Sequence, residues 1–178
     1  MLTRLALSVL MTILPLAASA VGDDDYFPPA STETTEACED GTIWDEETER
    51  CVAPSEATQD DASLMRAVRE LAYAGRFADA DAVLDRLDPA DPWVLTYRGF
   101  LARKRGAFDV AEQFYHAALD RDPNNLLTRS YLGQGHVETG AIDAARDQLT
   151  EIRRRGGRGT WPELALRLAI ESGSGFNY

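Results

Sequence analysis

From about residue 62 onward, apolar residues recur at three- and four-residue spacing, and glycines interrupt the pattern at intervals. That period belongs to an amphipathic α-helix with one face turned to a core. Gly75, Gly106 and Gly140 act as punctuation, 31 and 34 residues apart. Two residues after each comes Phe77, Phe108 or Ile142; five after, Ala80, Ala111 or Ala145; nine after, Leu84, Tyr115 or Leu149; twelve after, Leu87, Ala118 or Ile152. Seven before each stands Val68, Gly99 or Gly133. A glycine can end a helix in the left-handed conformation at little cost, so the next helix folds back on the first. Small residues seven before and five after the glycine fall where two helices cross and let their backbones approach. Asp91-Pro92 and Asp122-Pro123 close one unit and open the next, because proline is tolerated at a helix start and not inside. The pattern predicts an all-α domain over residues 62–171. It contains three helix pairs at about 62–91, 92–125 and 126–157. A capping helix follows at 161–171, with Leu164, Leu168 and Trp161 on one face, and then a tail at 172–178.

The stretch 93–125 resembles a tetratricopeptide repeat from end to end, with Gly99, Ala111, Tyr115, Ala118 and Asp122-Pro123-Asn124-Asn125 in place. The resemblance covers about residues 62–155. The first unit departs by Val68 at a position where the family has a small residue, and by being three residues short. The third lacks the closing Asp-Pro and runs into Arg153-Arg154-Arg155-Gly156-Gly157. The resemblance implies a right-handed helical solenoid whose concave face binds a protein or peptide, the first helix of each pair lining the groove. Helical spacing then assigns to the groove Met65, Arg69 and Tyr73 from the first unit. The second unit gives Trp93, Thr96, Phe100, Arg103 and Lys104, and the third gives Ser130 and Gln134, with Val137 and Glu138 beside them. Aromatics and arginine are the residues that interface hot spots favour. The alternative is that some of these pack against neighbouring helices or the N-terminal segment. The Lys and Asn pattern with which some family members clamp a terminal carboxylate is not matched.

The charge is divided unevenly. The chain of 178 residues has a net charge of −12, yet residues 21–63 hold 14 acids and one base, and residues 64–178 balance to zero. A neutral helical domain gives no electrostatic reason to expect nucleic acid. Residues 1–20 read as a secretory signal peptide, with Arg4, an apolar run from Leu5 to Leu16, and Ala18-Ser19-Ala20 at the cleavage point. The expected location is periplasmic or secreted, with no integral membrane association after cleavage. Residues 21–61 lack helical periodicity and are rich in acids, Ser, Thr and Pro, so they are expected to form a disordered acidic arm. The exception is 38–54, expected to be a hairpin stapled by a Cys38–Cys51 disulfide. Two cysteines in an exported chain are a natural pair. Two basic clusters, Arg103-Lys104-Arg105 and Arg153-Arg154-Arg155 with Arg158, suit helix C-termini, where cations offset the helix dipole. The alternative is that the acidic arm folds back onto them and masks the groove. The spacing from Cys38 through Trp44 to Cys51 resembles part of a peritrophin-type chitin-binding domain. This implies, as an alternative function, contact of Trp44 with a cell-wall polysaccharide.

Candidate catalytic chemistry is sparse. His116 and His136 are the only histidines. His136 is expected at a packed helix interface, and His116 on an outer face. No pair of histidines has metal-ligand spacing, no glycine-rich phosphate loop follows a strand, and Asp109 with Glu112 reads as a solvated helix face. The expectation is a non-enzymatic adaptor or scaffold of the cell envelope, without metal or cofactor.

Overall fold

The computed structural model describes residues 29–175; the expected signal peptide and residues 21–28 and 176–178 lie outside that range. The described chain is mostly helical. A short helix α1 (Glu33–Glu36) precedes a two-stranded hairpin, β1 (Ile43–Asp45) and β2 (Arg50–Val52). Six helices follow in close succession: α2 (Asp61–Tyr73), α3 (Phe77–Leu84), α4 (Pro92–Lys104), α5 (Phe108–Arg121), α6 (Leu126–Glu138) and α7 (Ile142–Arg154). The last helix, α8 (Trp161–Ser172), comes after a short glycine-rich connection. α2 packs on α3, α4 on α5 and α6 on α7, while α3–α4, α5–α6 and α4–α6 contacts join the pairs; α8 closes against α6 and α7.

Local chemistry explains the boundaries. Asp60, Asp91 and Asn125 cap α2, α4 and α6 by accepting backbone N–H groups from the first turn, Asp60 from Ser63 at 2.8 Å and Asn125 from Thr128 at 2.9 Å. Gly75, Gly106 and Gly140 sit at φ near +80°, where any side chain would be strained. Gly99 and Gly133 are buried inside helices for a different reason. A Cβ at Gly99 would stand 2.5 Å from the Tyr115 ring, and one at Gly133 would stand 2.6 Å from Leu166. The helices touch there backbone to side chain.

The capping helix is present, but its buried face is Pro162, Ala165, Leu166 and Ala169. Leu164 and Leu168, expected to face the core, are only half-buried. Leu166 fills the space left by Gly133, and that contact sets the rotation of α8.

The largest departure concerns the acidic arm. Residues 29–60 are not disordered; they lie folded along α2 and α3. The hairpin pairs Ile43 with Val52, Trp44 with Cys51 and Asp45 with Arg50, and the Cys38–Cys51 disulfide is formed. Ile43, Val52 and Ala57 are buried in the same core as Leu64, Val68, Leu71 and Val83. Four charged residues of the helical part hold this segment by its backbone. The Glu70 carboxylate accepts from the N–H and hydroxyl of both Thr32 and Thr35, capping α1 from outside. Arg76, between α2 and α3, donates to the carbonyls of Thr34 (2.7 Å), Cys38 (3.0 Å), Glu39 (2.8 Å) and Thr42 (3.1 Å). It also pairs with Asp79, which accepts from the Gly41 N–H at 2.9 Å. Arg86 donates to the carbonyls of Pro54 and Ala57. Asp45 is fully buried and accepts from the backbone and hydroxyl of both Thr48 and Thr58. The backbone bonds from Thr58 and Thr48 hold its carboxyl far below the usual carboxylate range.

Arg76 donates to four carbonyls, of which, among the described residues, only that of Glu39 has a further partner, the Thr42 N–H and hydroxyl, so its removal should leave the other three without it. Arg76→Ala is expected to cost about 2–4 kcal/mol and to lower the thermal midpoint by roughly 5–10 °C. Differential scanning calorimetry on the oxidised protein checks this. A midpoint unchanged by the substitution would show that the 32–42 segment is not held in this way.

Candidate functional site

The first helices of successive pairs, α4 and α6, bring four aromatic rings together along one side: Tyr97, Phe100 and Tyr131 are buried in the core, and Trp93 packs half-buried against them. Along α4, Trp93, Tyr97 and Phe100 follow the i, i+4, i+7 ridge of one helix side. Trp93 and Tyr97 lie 4.2 Å apart between ring centroids, and Tyr97 and Phe100 lie 6.2 Å apart. Tyr131 of α6 meets Tyr97 edge-on at 6.4 Å and Phe100 at 5.1 Å. Phe77 of α3 completes the row, 6.5 Å from Phe100. These separations fall in the range where aromatic pairs attract beyond their buried area.

Two cations cover the C-terminal end of this row. The Arg103 guanidinium sits over Phe100 at 5.6 Å and over Tyr131 at 5.9 Å, and the Lys104 ammonium stands over Phe100 at 5.3 Å. Both contacts have cation–π geometry. The Arg103 side chain has no solvent exposure and pairs with Glu138 at 2.7 Å. Its Nε and Nη2 have no hydrogen-bond acceptor among the described residues, and neither does the buried hydroxyl of Tyr115. Burial pushes the Tyr115 phenol up to about 12, against the pull of the nearby Arg103. Lys104 is the only lysine in the sequence. Burial, and then repulsion by Arg103, bring its pKa down to about 8.

The expected groove residues separate into three groups. Trp93, Phe100, Arg103 and Lys104 come together around the aromatic row. Thr96, Ser130 and Gln134 are buried to within about one per cent of full burial. Thr96 bonds to Thr128 at 2.6 Å across α4 and α6, and Gln134 donates to Ser130 at 3.3 Å within α6. Met65, on α2, packs half-buried against the core, and Tyr73 is exposed. Arg69 lines a different space, a cavity of about 410 Å³ between α2 and the arm, together with Trp44, Gln59, Ser63 and Arg66. Tyr97 and Tyr131 belong to the row and were not among the expected residues. Their signal was the repeat itself: they lie 34 residues apart, the same interval as Gly99 and Gly133.

The alternative in which the arm folds onto the basic clusters does not hold for residues 29–60. Acids of the helices themselves meet those cations: Asp81 meets Arg105, Glu138 meets Arg103, Glu163 meets Arg153, and Glu151 meets both Arg154 and Arg155. His136 is half-buried, and burial lowers its pKa; His116 is exposed beside Glu112. Among the described residues no group of His, Cys, Asp and Glu could hold a metal ion, and no helix is long and apolar enough to cross a membrane.

No family model, curated protein or solved structure matches this chain. The reading of the site therefore rests on its own geometry.

A depressed lysine pKa has a definite sign. Below pH 8 the folded state carries a charge that burial disfavours, so this group opposes folding there; the opposition is relieved as pH rises from 8 toward the unfolded value of 10.5. The single lysine makes the shift directly measurable. NMR titration of the Lys104 ε-methylene resonance should give a midpoint near 8. An ordinary lysine midpoint would mean that the ammonium is not desolvated against Phe100 and Arg103.

Proposed function

We propose that this protein is an exported, tetratricopeptide-type adaptor that binds an extended segment of another protein through the α4–α6 aromatic face. The observation that carries the reading is the row Trp93–Tyr97–Phe100–Tyr131, with Arg103 and Lys104 at one end. The buried rings make a rigid base, and the half-buried Trp93 and Lys104 at its two ends offer a partner an aromatic surface and a cation that favours acceptor or acidic groups. Consecutive helix pairs joined by left-handed glycines support the repeat architecture, and the 34-residue interval supports its register. Among the described residues no nucleophile, base and orienting group converge on the face, which favours binding over turnover.

The test is an affinity comparison on envelope extract. The wild-type protein should retain a partner that the Trp93→Ala, Lys104→Glu double variant loses by at least about tenfold, as removal of hot-spot residues does. Val110→Ala on the outer helix α5 should leave retention unchanged. Equal retention by all three, or turnover in a hydrolase screen, would contradict the adaptor reading.

The cavity beside Trp44 favours a second, separate reading, in which the arm holds a polysaccharide. Trp44 is half-buried there, with Gln59 donating to its carbonyl and Ser63, Arg66 and Arg69 around it. An aromatic ring flanked by donors and acceptors suits a sugar ring. Binding to insoluble peptidoglycan or chitin that is lost in Trp44→Ala would support this use; binding that survives the substitution would exclude Trp44 from it.

A further inference from the structure

Buried polar atoms from two helices meet at the junction of α4, α5 and α6. The Arg103 side chain on α4 has no solvent exposure, and its Nη1 pairs with Glu138 of α6 at 2.7 Å. Its Nε and Nη2 have no acceptor among the described residues. These two nitrogens share one edge of the guanidinium, so their N–H bonds run side by side as a fork. The Tyr115 hydroxyl on α5 is buried and equally without a partner among the described residues. It stands close enough to Arg103 for each to act on the other's charge. The Tyr115 ring lies against Gly99, one helical turn before Arg103.

A small pocket adjoins this cluster. It has a volume of about 30 Å³ and lies between α5 and α6, with Tyr115, Gly135 and His136 in its lining. Gly135 has no side chain, and a Cβ built on it would stand 3.4 Å from Arg103 Cδ. Tyr115 and Gly135 thus border both the pocket and the cluster. A space of that size takes roughly two water molecules or one halide ion. The donors select between them. Arginine keeps its charge in a protein and its N–H groups only donate. With the Tyr115 hydroxyl they make three donors, so the matching occupant accepts three hydrogen bonds. A negative charge on it offsets a cation taken out of water. Water accepts two at most and brings two protons that need acceptors of their own.

We propose that Arg103 and Tyr115 form an internal site for a small monovalent anion, of halide or formate size, at the junction of α4, α5 and α6. The Arg103 edge supplies two N–H donors and the Tyr115 hydroxyl the third. Larger oxyanions such as sulfate exceed the pocket. Lys104 follows Arg103 along α4 and is repelled by its charge, so an anion on Arg103 favours the charged form of Lys104. The Lys104 midpoint near 8 belongs to the protein in anion-poor buffer, and the bound anion raises it. The site does not rest on the adaptor reading. Its effect is to make the charge at Lys104 depend on the anions around the protein.

The test uses the full chain. Crystals grown in sodium bromide should show an anomalous-scattering peak within hydrogen-bond distance of Arg103 Nε and Nη2 and of Tyr115 Oη. In solution, Lys104 is the sole lysine, so its rate of acetylation reads its neutral fraction. At equal pH and ionic strength, chloride or formate should slow that rate at least about threefold relative to gluconate, which is too large for the pocket. A unit charge about 6 Å away has that effect even in water. Tyr115→Phe removes the hydroxyl and keeps the ring against Gly99. It should raise the chloride concentration needed for half of the effect about tenfold, as loss of one hydrogen bond to a charged group does. Arg103→Gln, which lacks the fork, should abolish the effect; if that variant does not fold, Tyr115→Phe and the bromide peak decide. Water in place of bromide, a Tyr115 hydroxyl bonded directly to Arg103, or equal Lys104 rates in chloride and gluconate would overturn the proposal. A chloride effect undiminished in Tyr115→Phe would overturn it as well, by placing the anion elsewhere.

Discussion

The aromatic face of α4 and α6 depends on how closely each of these helices is approached by its neighbour, α5 on one and the capping helix α8 on the other. Gly99 lies against the ring of Tyr115, and Gly133 lies against Leu166, with no room for a methyl group at either place. Ala80, Ala111 and Ala145 are buried on the second helices of the three pairs. Large residues there would separate the backbones and rotate α4 and α6 apart. Because they do not, Tyr97 and Tyr131, one repeat interval apart, come within ring contact, and Phe100 fits between them. The aromatic row follows from backbone proximity on the opposite side of the same helices.

Much of this was legible in the sequence, because helix pairs leave a strong period and glycine leaves a sharp stop. The left-handed glycines and the disulfide-stapled hairpin appear where the pattern places them. Tyr97 and Tyr131 escaped because each lies one helical step away from the positions taken to face inward. The rotation of α8 escaped for a related reason: Leu164, Leu166 and Leu168 are equivalent by hydropathy, and only the vacancy at Gly133 selects Leu166.

The acidic arm was misread for a physical reason worth stating. Averaged over residues 21–61, composition argues against a core, yet Ile43, Val52 and Ala57 need only a place in a core that already exists. The rest of the segment is held by polar groups from elsewhere. Glu70, Arg76, Asp79 and Arg86 look like solvated charges on a helix surface when read locally. They are partners for backbone groups thirty to forty residues away, which have no regular structure of their own to satisfy them. Acidity is thus compatible with order here, because the arm is bound through its backbone carbonyls, amides and threonine hydroxyls while most of its carboxylates remain in water.

The central claim is that the α4–α6 face, and not the outer helices, meets the partner. The most direct measurement places a photo-crosslinking side chain at position 93 in one protein and at position 110 in another, expressed in the native cell. Val110 is exposed on α5 and is not part of the row. The account predicts a discrete adduct from position 93 that is absent from position 110. The same adduct from both positions, or an adduct from position 110 alone, would contradict it.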